Sequence, residues 1–531
     1  LSDITTDETF YDLVIDKTNT SYNAVDIFAD NTIHVLNDLD ITDGCLEMAS
    51  NSTLDVDNDL TIASGAGLNA ASDNNLNILV GGDWDNDNTS YSTTYGFNPG
   101  TSSTVTFNGS TLQNLYTDCS QEDFFNLIIN RPVNDAVYLR DNIHVYGDLF
   151  VLNGTIYNPL ELQHELWGDV TVEDDGTLNF WYGGTTTLRG TNDQTLSSYD
   201  HNEMSFSHLI IDKTGSKGNG SKSQTVTVTN NGIDIGDLVI QEGTLVLDGN
   251  SNEIRYSSAA FIQDGGKLIL GAGKVFGCRG DVVVNSGGTF EAIGSAGNEV
   301  VLQNYNAAYE IVIESGGTIA AEYAKFQSLG DDGVEIMNGA VINPVYPLNH
   351  CEFRGWGSAT SMLTINNNQT LTIDGASFPT NFGFTPPNNV SKTIDQGQIT
   401  FTNATGNHSG PTYENDPYNR IEWDGFVAGM WTGAVSNDWN DPANWEYHMK
   451  PTDNDDATIP SGTPNDPRIY NAAAFCKSLS IAAGASLHVD DETLTVDGDL
   501  EIYGELQMDN ASGVLNIEND VFWKAGSTDN I

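Results

Sequence analysis

Asp83, Asp85 and Asp87 alternate along the run Gly82-Asp83-Trp84-Asp85-Asn86-Asp87-Asn88, as carboxylates do at the start of a calcium loop. Oxygen donors at this spacing suit a hard cation, so calcium is the cofactor these residues would take. The loop is incomplete, because Asn88 and Thr94 stand where a glycine and a closing acid belong. Trp431, Trp439 and Trp445 form a second group. They suit either a platform for stacking a sugar ring or a plug that keeps an interrupted core dry. Acid pairs such as Asp174-Asp175 and Asp331-Asp332 could serve carboxylate-driven cleavage of polysaccharides. Elimination chemistry wants a basic group beside such acids. The chain has only 19 Lys and Arg, and Arg140, Arg255, Arg279 and Arg354 sit singly. The 9 histidines show no paired metal spacing, and no Gly-x-Ser-x-Gly elbow occurs. Cys45, Cys119, Cys278, Cys351 and Cys476 lie too far apart in sequence to suggest a zinc site or a disulfide framework. The residues predict no catalytic centre, and the expectation is a protein that is not an enzyme.

With 74 acidic residues and a formal charge of −55, the chain repels nucleic acid and anionic membrane surfaces alike. No apolar run approaches the length of a membrane span, so direct insertion is not expected. Hydrophobic content of 38% is enough for an ordered core. Acids at turns and outward positions suit solubility and resistance to lateral aggregation. Carboxylates stacked on adjacent turns would also repel one another unless a cation intervened.

The elements that carry these residues repeat. Asn37-Asp38-Leu39-Asp40-Ile41 opens a unit that restarts at Asn58-Asp59-Leu60-Thr61-Ile62. The same opening returns at Gly147-Asp148-Leu149, Gly168-Asp169-Val170, Gly236-Asp237-Leu238, Gly280-Asp281-Val282 and Gly498-Asp499-Leu500. The intervals 37 to 58, 147 to 168 and 498 to 519 are each 21 residues. A fixed period in this range marks a solenoid. Within each unit apolar residues lie two apart, as in Leu479 and Ile481, Leu487 and Val489, Leu494 and Val496. Such pairs share one side of a strand and are buried only when a neighbouring turn stacks on them. Gly, Asn and Asp fill the turns, at Gly44, Gly154, Gly176, Gly243, Gly266, Gly288 and Gly317 among others.

These patterns predict an all-β fold: a right-handed parallel β-helix, or β-solenoid, of about 21–22 residues per coil. At about 4.8 Å per coil the chain would build a rod on the order of 110 Å long. Propeller blades and sandwiches fit less well, since both need antiparallel hairpins. Ala320 to Phe326 is the one stretch that reads as a possible short helix.

A longer repeat overlies the coils. Phe10-Tyr11-Asp12-Leu13-Val14-Ile15-Asp16-Lys17 is echoed by Phe124-Phe125-Asn126-Leu127-Ile128-Ile129-Asn130-Arg131 and by Phe206-Ser207-His208-Leu209-Ile210-Ile211-Asp212-Lys213. The last two follow the lead-ins Thr104-Val105-Thr106-Phe107-Asn108-Gly109 and Thr186-Thr187-Leu188-Arg189-Gly190. Four blocks result: cassettes at 1–120, 121–205 and 206–425, then a Trp-rich junction with further coils at 426–531.

The aromatic strand, the Gly-Asp-Leu coils and the Gly82-to-Asn88 turn resemble those of very large secreted surface proteins of Bacteroidota. Many of these are exported by the type IX pathway, and they include adhesin-like chains. Asn415-Asp416-Pro417-Tyr418 and the tryptophan element from Trp431 to Pro460 are similar as well. The resemblance implies an extracellular or cell-surface location and a repeat architecture, without implying an activity. The chain also reads as a processed or excised piece of something longer, because its last unit opens at Asn519-Asp520 and stops part-way.

The expected function is a structural rod segment of a secreted cell-surface fibre, stalk or adhesin. Its partners would be neighbouring segments of the same or identical chains. The alternative is a glycan-binding or polysaccharide-processing β-helix protein, with extracellular glycans as partners. A calcium-dependent matrix protein is a third.

Overall fold

The computed structural model describes residues 3–17, 24–70, 75–89, 95–132, 135–200, 203–213, 224–230, 232–247, 253–256, 259–305, 307–356, 359–380, 385–425, 428–508, 510–524 and 526–530. Strands dominate, and no α-helix occurs among the described residues. The protein is a parallel β-solenoid. Its chain divides into two compact units, residues 1–368 with 383–385, and residues 369–382 with 386–531. The division after Asn368 lies inside the third block expected from sequence, which ended at 425.

In the first unit one early turn consists of Thr32–Val35, Leu39–Asp43 and Cys45–Met48. The next turn is Thr53–Val56, Leu60–Ile62 and Gly67–Asn69, and each strand pairs in parallel with its equivalent. Inward side chains therefore align in columns. One column runs Ile33, Leu54, Ile78, Val105, Leu127, Leu149, Val170, Leu196, Val228, Leu247, Leu270, Ala292 and Ala321. Every member is buried. Each large aliphatic side chain gains about 1.5–3 kcal/mol from that burial, and only the stacked turn makes it available. Register survives changes in turn length, since Leu196 still pairs with Val228 although 32 residues separate them.

The acid of the repeated opening holds successive turns together. Asp59 Oδ1 accepts the Asp83 N–H at 2.8 Å, and Asp83 Oδ1 accepts the Asn114 N–H at 2.7 Å. Asp148 Oδ1 likewise takes the Asp169 N–H at 2.8 Å, and Asp169 Oδ1 the Thr195 N–H at 2.7 Å. Backbone N–H groups leaving a strand at a corner lack a ladder partner, and the carboxylate below supplies one. The signature residue thus bridges turns as well as solvating them.

Two reasons put glycine at the corners. Gly287 adopts φ +79°, a conformation costly for other residues. Gly288 beside it does not, but a Cβ there would sit 2.5 Å from the Ile262 carbonyl oxygen of the previous turn. Close approach of coils, more than turn geometry, explains the second glycine.

Ala320 to Phe326, the only candidate for a short helix in an otherwise helix-poor sequence, is strand. Thr318–Glu322 pairs with Thr289–Ile293, and Phe326 of Ala324–Ile336 pairs with Leu302. Ala320, Ala321 and Ala324 are fully buried. Tyr323 turns the chain between the strands at φ 48°. The alanines are small because they fill a tight corner.

In the second unit, Thr370–Asp374, Gln398–Thr402 and Ile421–Trp423 form one parallel sheet. A separate three-faced coil follows. Ala457–Ile459, Leu479–Ile481, Leu500–Ile502 and Val521–Trp523 make one face. Ala474–Cys476, Thr493–Val496 and Val514–Ile517 make another. The third joins Arg468–Ile469, Ser486–Val489, Glu505–Met508 and Thr528–Asn530.

Replacing Asp148 with Ala should remove the acceptor of the Asp169 amide at a cost of about 1.5–3 kcal/mol. Amide exchange at Asp169 should accelerate at least tenfold in Asp148→Ala and less in Asp148→Asn, which keeps an acceptor oxygen. Unchanged protection in both variants would show that the carboxylate contributes nothing to turn stacking.

Candidate functional site

Alternation along the strand Trp84–Asn86 separates the residues of the Gly-Asp-Trp run. Trp84, Asn86 and Asn88 are buried, while Asp83, Asp85 and Asp87 lie on the opposite side. Asp83 is engaged by both the N–H and the Nδ2 of Asn114. Asp85 has its pKa raised by burial and then by the charges of Asp87, Asp118, Asp83 and Asp141. The ligand atoms of these three aspartates do not all come within 4.8 Å of one another, as the ligands of one ion would.

The inward half of this run makes a polar network within the core. Asn88 Nδ2 donates to Asn86 Oδ1 at 2.9 Å, and Asn86 Nδ2 donates to Glu122 Oε2 at 2.9 Å. Asn88 also accepts the Gly65 N–H at 2.9 Å, which ties the network to the preceding turn. Trp84, Phe97 and Phe124 pack beside it, with Trp84 5.0 Å from Phe97 and 5.7 Å from Phe124 between ring centroids. Burial in these surroundings pushes the Glu122 carboxyl up to about 8, so it is predominantly protonated at neutral pH. A perturbed carboxyl in an open cleft would suggest an acid catalyst. Glu122 is 2% exposed and its partner is structural.

The three tryptophans are buried, at 0%, 0% and 1% exposure for Trp431, Trp439 and Trp445. Trp445 meets Trp431 at 5.1 Å and Trp439 at 4.6 Å, both edge to face. They belong to the core cluster that includes Ile459, Ile469 and Leu487. No ring face is left for a sugar, so the plug is the reading that survives. Asn444 locks it. Its Oδ1 accepts the N–H groups of Val435 and Ser436, and its Nδ2 donates to Ser436 Oγ and the Asp438 carbonyl.

Five side chains, Asp123, His144, Glu165, Arg189 and Asp212, are linked across successive turns. Asp123 pairs with His144 along the ladder, and His144 with Glu165. His144 Nδ1 is 3.4 Å from Asp123 Oδ1, and Nε2 is 3.8 Å from Glu165 Oε2. Arg189 bonds Glu165 Oε1 at 2.7 Å and Asp212 Oδ2 at 2.6 Å. Burial lowers the His144 pKa, against the opposing pull of Glu165 and Asp123. Tyr146 and Trp167 lie alongside with centroids 4.7 Å apart. Trp167 also lies against Gly190, where an added Cβ would come within 3.1 Å of the indole. Arg189 offsets the charges of Glu165 and Asp212, and the His144 imidazole stands between Asp123 and Glu165. The arrangement is a side-chain clasp across turns, and Asp123 within it is only 3% exposed.

The acid pairs are not brought to this group. Asp174 and Asp175 are exposed within Val170–Leu188, and Asp332 donates its N–H to Glu310 Oε1 at 2.9 Å. The thiols of Cys45, Cys351 and Cys476 are pushed up to about 12, chiefly by burial, and are inert.

Sequence reasoning missed the basic residue that ends each aromatic strand. Lys213 is 2% exposed, donates to the Arg189 carbonyl at 2.6 Å and to Gln194 Oε1 at 3.0 Å, and has its pKa lowered to about 8 by burial. Gln194 Nε2 continues to the Leu166 carbonyl at 3.2 Å. Arg131 occupies the matching place and donates to the Thr111 carbonyl, with Gln113 bonding the Val80 carbonyl at 2.9 Å. The signal was available: Lys17, Arg131 and Lys213 recur in phase, and a Gln follows each Gly of the two lead-ins by four residues.

Residues 430–529 match the model of a family described as a domain of unknown function, DUF8693. The match covers the tryptophan plug and the coil it closes. No curated protein and no solved structure matches the chain.

Replacing Asn444 with Ala should cost about 2–4 kcal/mol, since buried backbone donors lose their acceptor. Tryptophan emission should shift to the red at lower denaturant concentration than in the unaltered chain. Glu122→Gln tests the buried carboxyl. A folded-state pKa of about 8, above the ordinary value of 4.5, favours folding at low pH, and this contribution is lost as pH rises between those values. The stability of Glu122→Gln relative to the unaltered chain should therefore increase from pH 5 to pH 8. A constant difference would mean that the carboxyl is not held neutral.

Proposed function

We propose that the chain is a structural rod segment of a secreted cell-surface fibre, stalk or adhesin, and not a catalyst. The observation that carries this reading is the use made of the acids. The carboxylates most regularly repeated along the chain accept backbone N–H groups from the next turn and so serve length. A solenoid gains reach by adding turns without enlarging its core, which is what a spacer requires. The abundant remaining charge keeps such a surface soluble and discourages lateral aggregation. Neighbouring segments of the same or identical chains are the partners this role calls for.

The alternative, glycan binding or polysaccharide processing, draws on surface aromatics. Tyr138, Tyr157 and Tyr182 form a ladder with centroids 5.0 and 5.5 Å apart, and Tyr182 is 55% exposed.

Two measurements on the purified chain test the proposal. Small-angle scattering should give a radius of gyration well above the roughly 24 Å expected of a compact globule of this length. Incubation with a panel of acidic and neutral polysaccharides should yield neither shortened nor unsaturated products. A globular radius would end the spacer reading, and depolymerisation would replace it with the enzymatic one.

A further inference from the structure

The exposed face of the second and third complete turns carries three ligating side chains whose donor atoms converge. His34 lies on Thr32–Val35 and is paired along the ladder with Asp55 of Thr53–Val56. Asp57 follows two residues after Asp55. His34 Nε2 is 3.1 Å from Asp57 Oδ1 and 3.8 Å from Asp55 Oδ2. One ligand atom from each residue lies within 4.8 Å of the other two. This distinguishes the group from His144, whose two carboxylates approach different ring nitrogens, and from His208, for which the single carboxylate of Asp237 lies at 2.8 Å.

A second observation concerns the nitrogen itself. His34 Nε2 is shielded from water, and the carboxylates of Asp57 and Asp55 both face it. A nitrogen and two oxygens that converge in this way offer three donor atoms to a single cation. The supports are rigid, since the inward neighbours Ile33, Val35, Leu54 and Val56 are all fully buried.

We propose that His34, Asp55 and Asp57 bind a divalent transition-metal ion of the zinc class, which would staple two adjacent turns. An imidazole donor favours such ions over calcium and magnesium, and the solvent-facing side leaves room for water ligands. Binding at this position would hold the turns together from outside, as the buried column does from within.

The test uses the full chain, stripped of metal by chelator and dialysed. Zinc titration by calorimetry should resolve a tight site, and anomalous diffraction at the zinc edge should place the ion between the three residues. His34→Ala should weaken that site at least tenfold, and so should Asp57→Asn, which preserves side-chain shape. His208→Ala should leave it unchanged. Circular dichroism on each variant checks that the coil is intact. Absence of zinc density at His34, or equal affinity in His34→Ala and the unaltered chain, would overturn the proposal. Such a result would leave only the diffuse cation binding expected of an acidic surface.

Discussion

Everything in this structure depends on parallel register between one turn and the next. A strand of three to five residues has too little apolar surface to be stable alone. When its equivalent one turn later stacks in register, the same few residues become part of an unbroken column and their backbone groups enter a ladder. The column from Ile33 to Ala321 tolerates Leu, Ile, Val and Ala, because what it requires is an apolar side chain on the inner side at each level. A slip of one residue would turn that whole strand inside out.

Polar residues enter the interior where this regularity is interrupted. Asn86, Asn88 and Glu122 lie beside the junction between the first two sequence blocks, and Gln113 with Arg131 and Gln194 with Lys213 occupy matching places in successive blocks. In each, a side chain supplies hydrogen bonds that the ladder cannot make where strands and loops change length. Asn444 does the same for the second coil at its tryptophan plug. The longer repeat is therefore a repeat of junctions, and its lead-in glycine, glutamine and basic residue are parts of one device.

The same economy governs the surface. Acids on the surface are paired across turns, by backbone N–H groups at Asp83 and Asp148 and by opposite charge at Glu165 and Asp212. His34 departs from the pattern, because both of its acidic neighbours converge on one nitrogen.

The period of 21 residues and the two-residue spacing of apolar side chains determined the parallel solenoid, because both follow from local geometry that any stacked coil must obey. The alternation of Trp84, Asp85 and Asn86 was equally visible, although its consequence for the aspartates emerged only once the run was recognised as strand. The sequence could not decide which acids stand against which backbone groups, since those partners are 21 to 31 residues apart and depend on how much chain each loop takes up. Nor could it distinguish the buried tryptophans from a sugar platform, or place His34 over Asp55, which depends on turn-to-turn register. Local pattern fixed the direction each side chain faces; only stacking decided what it meets there.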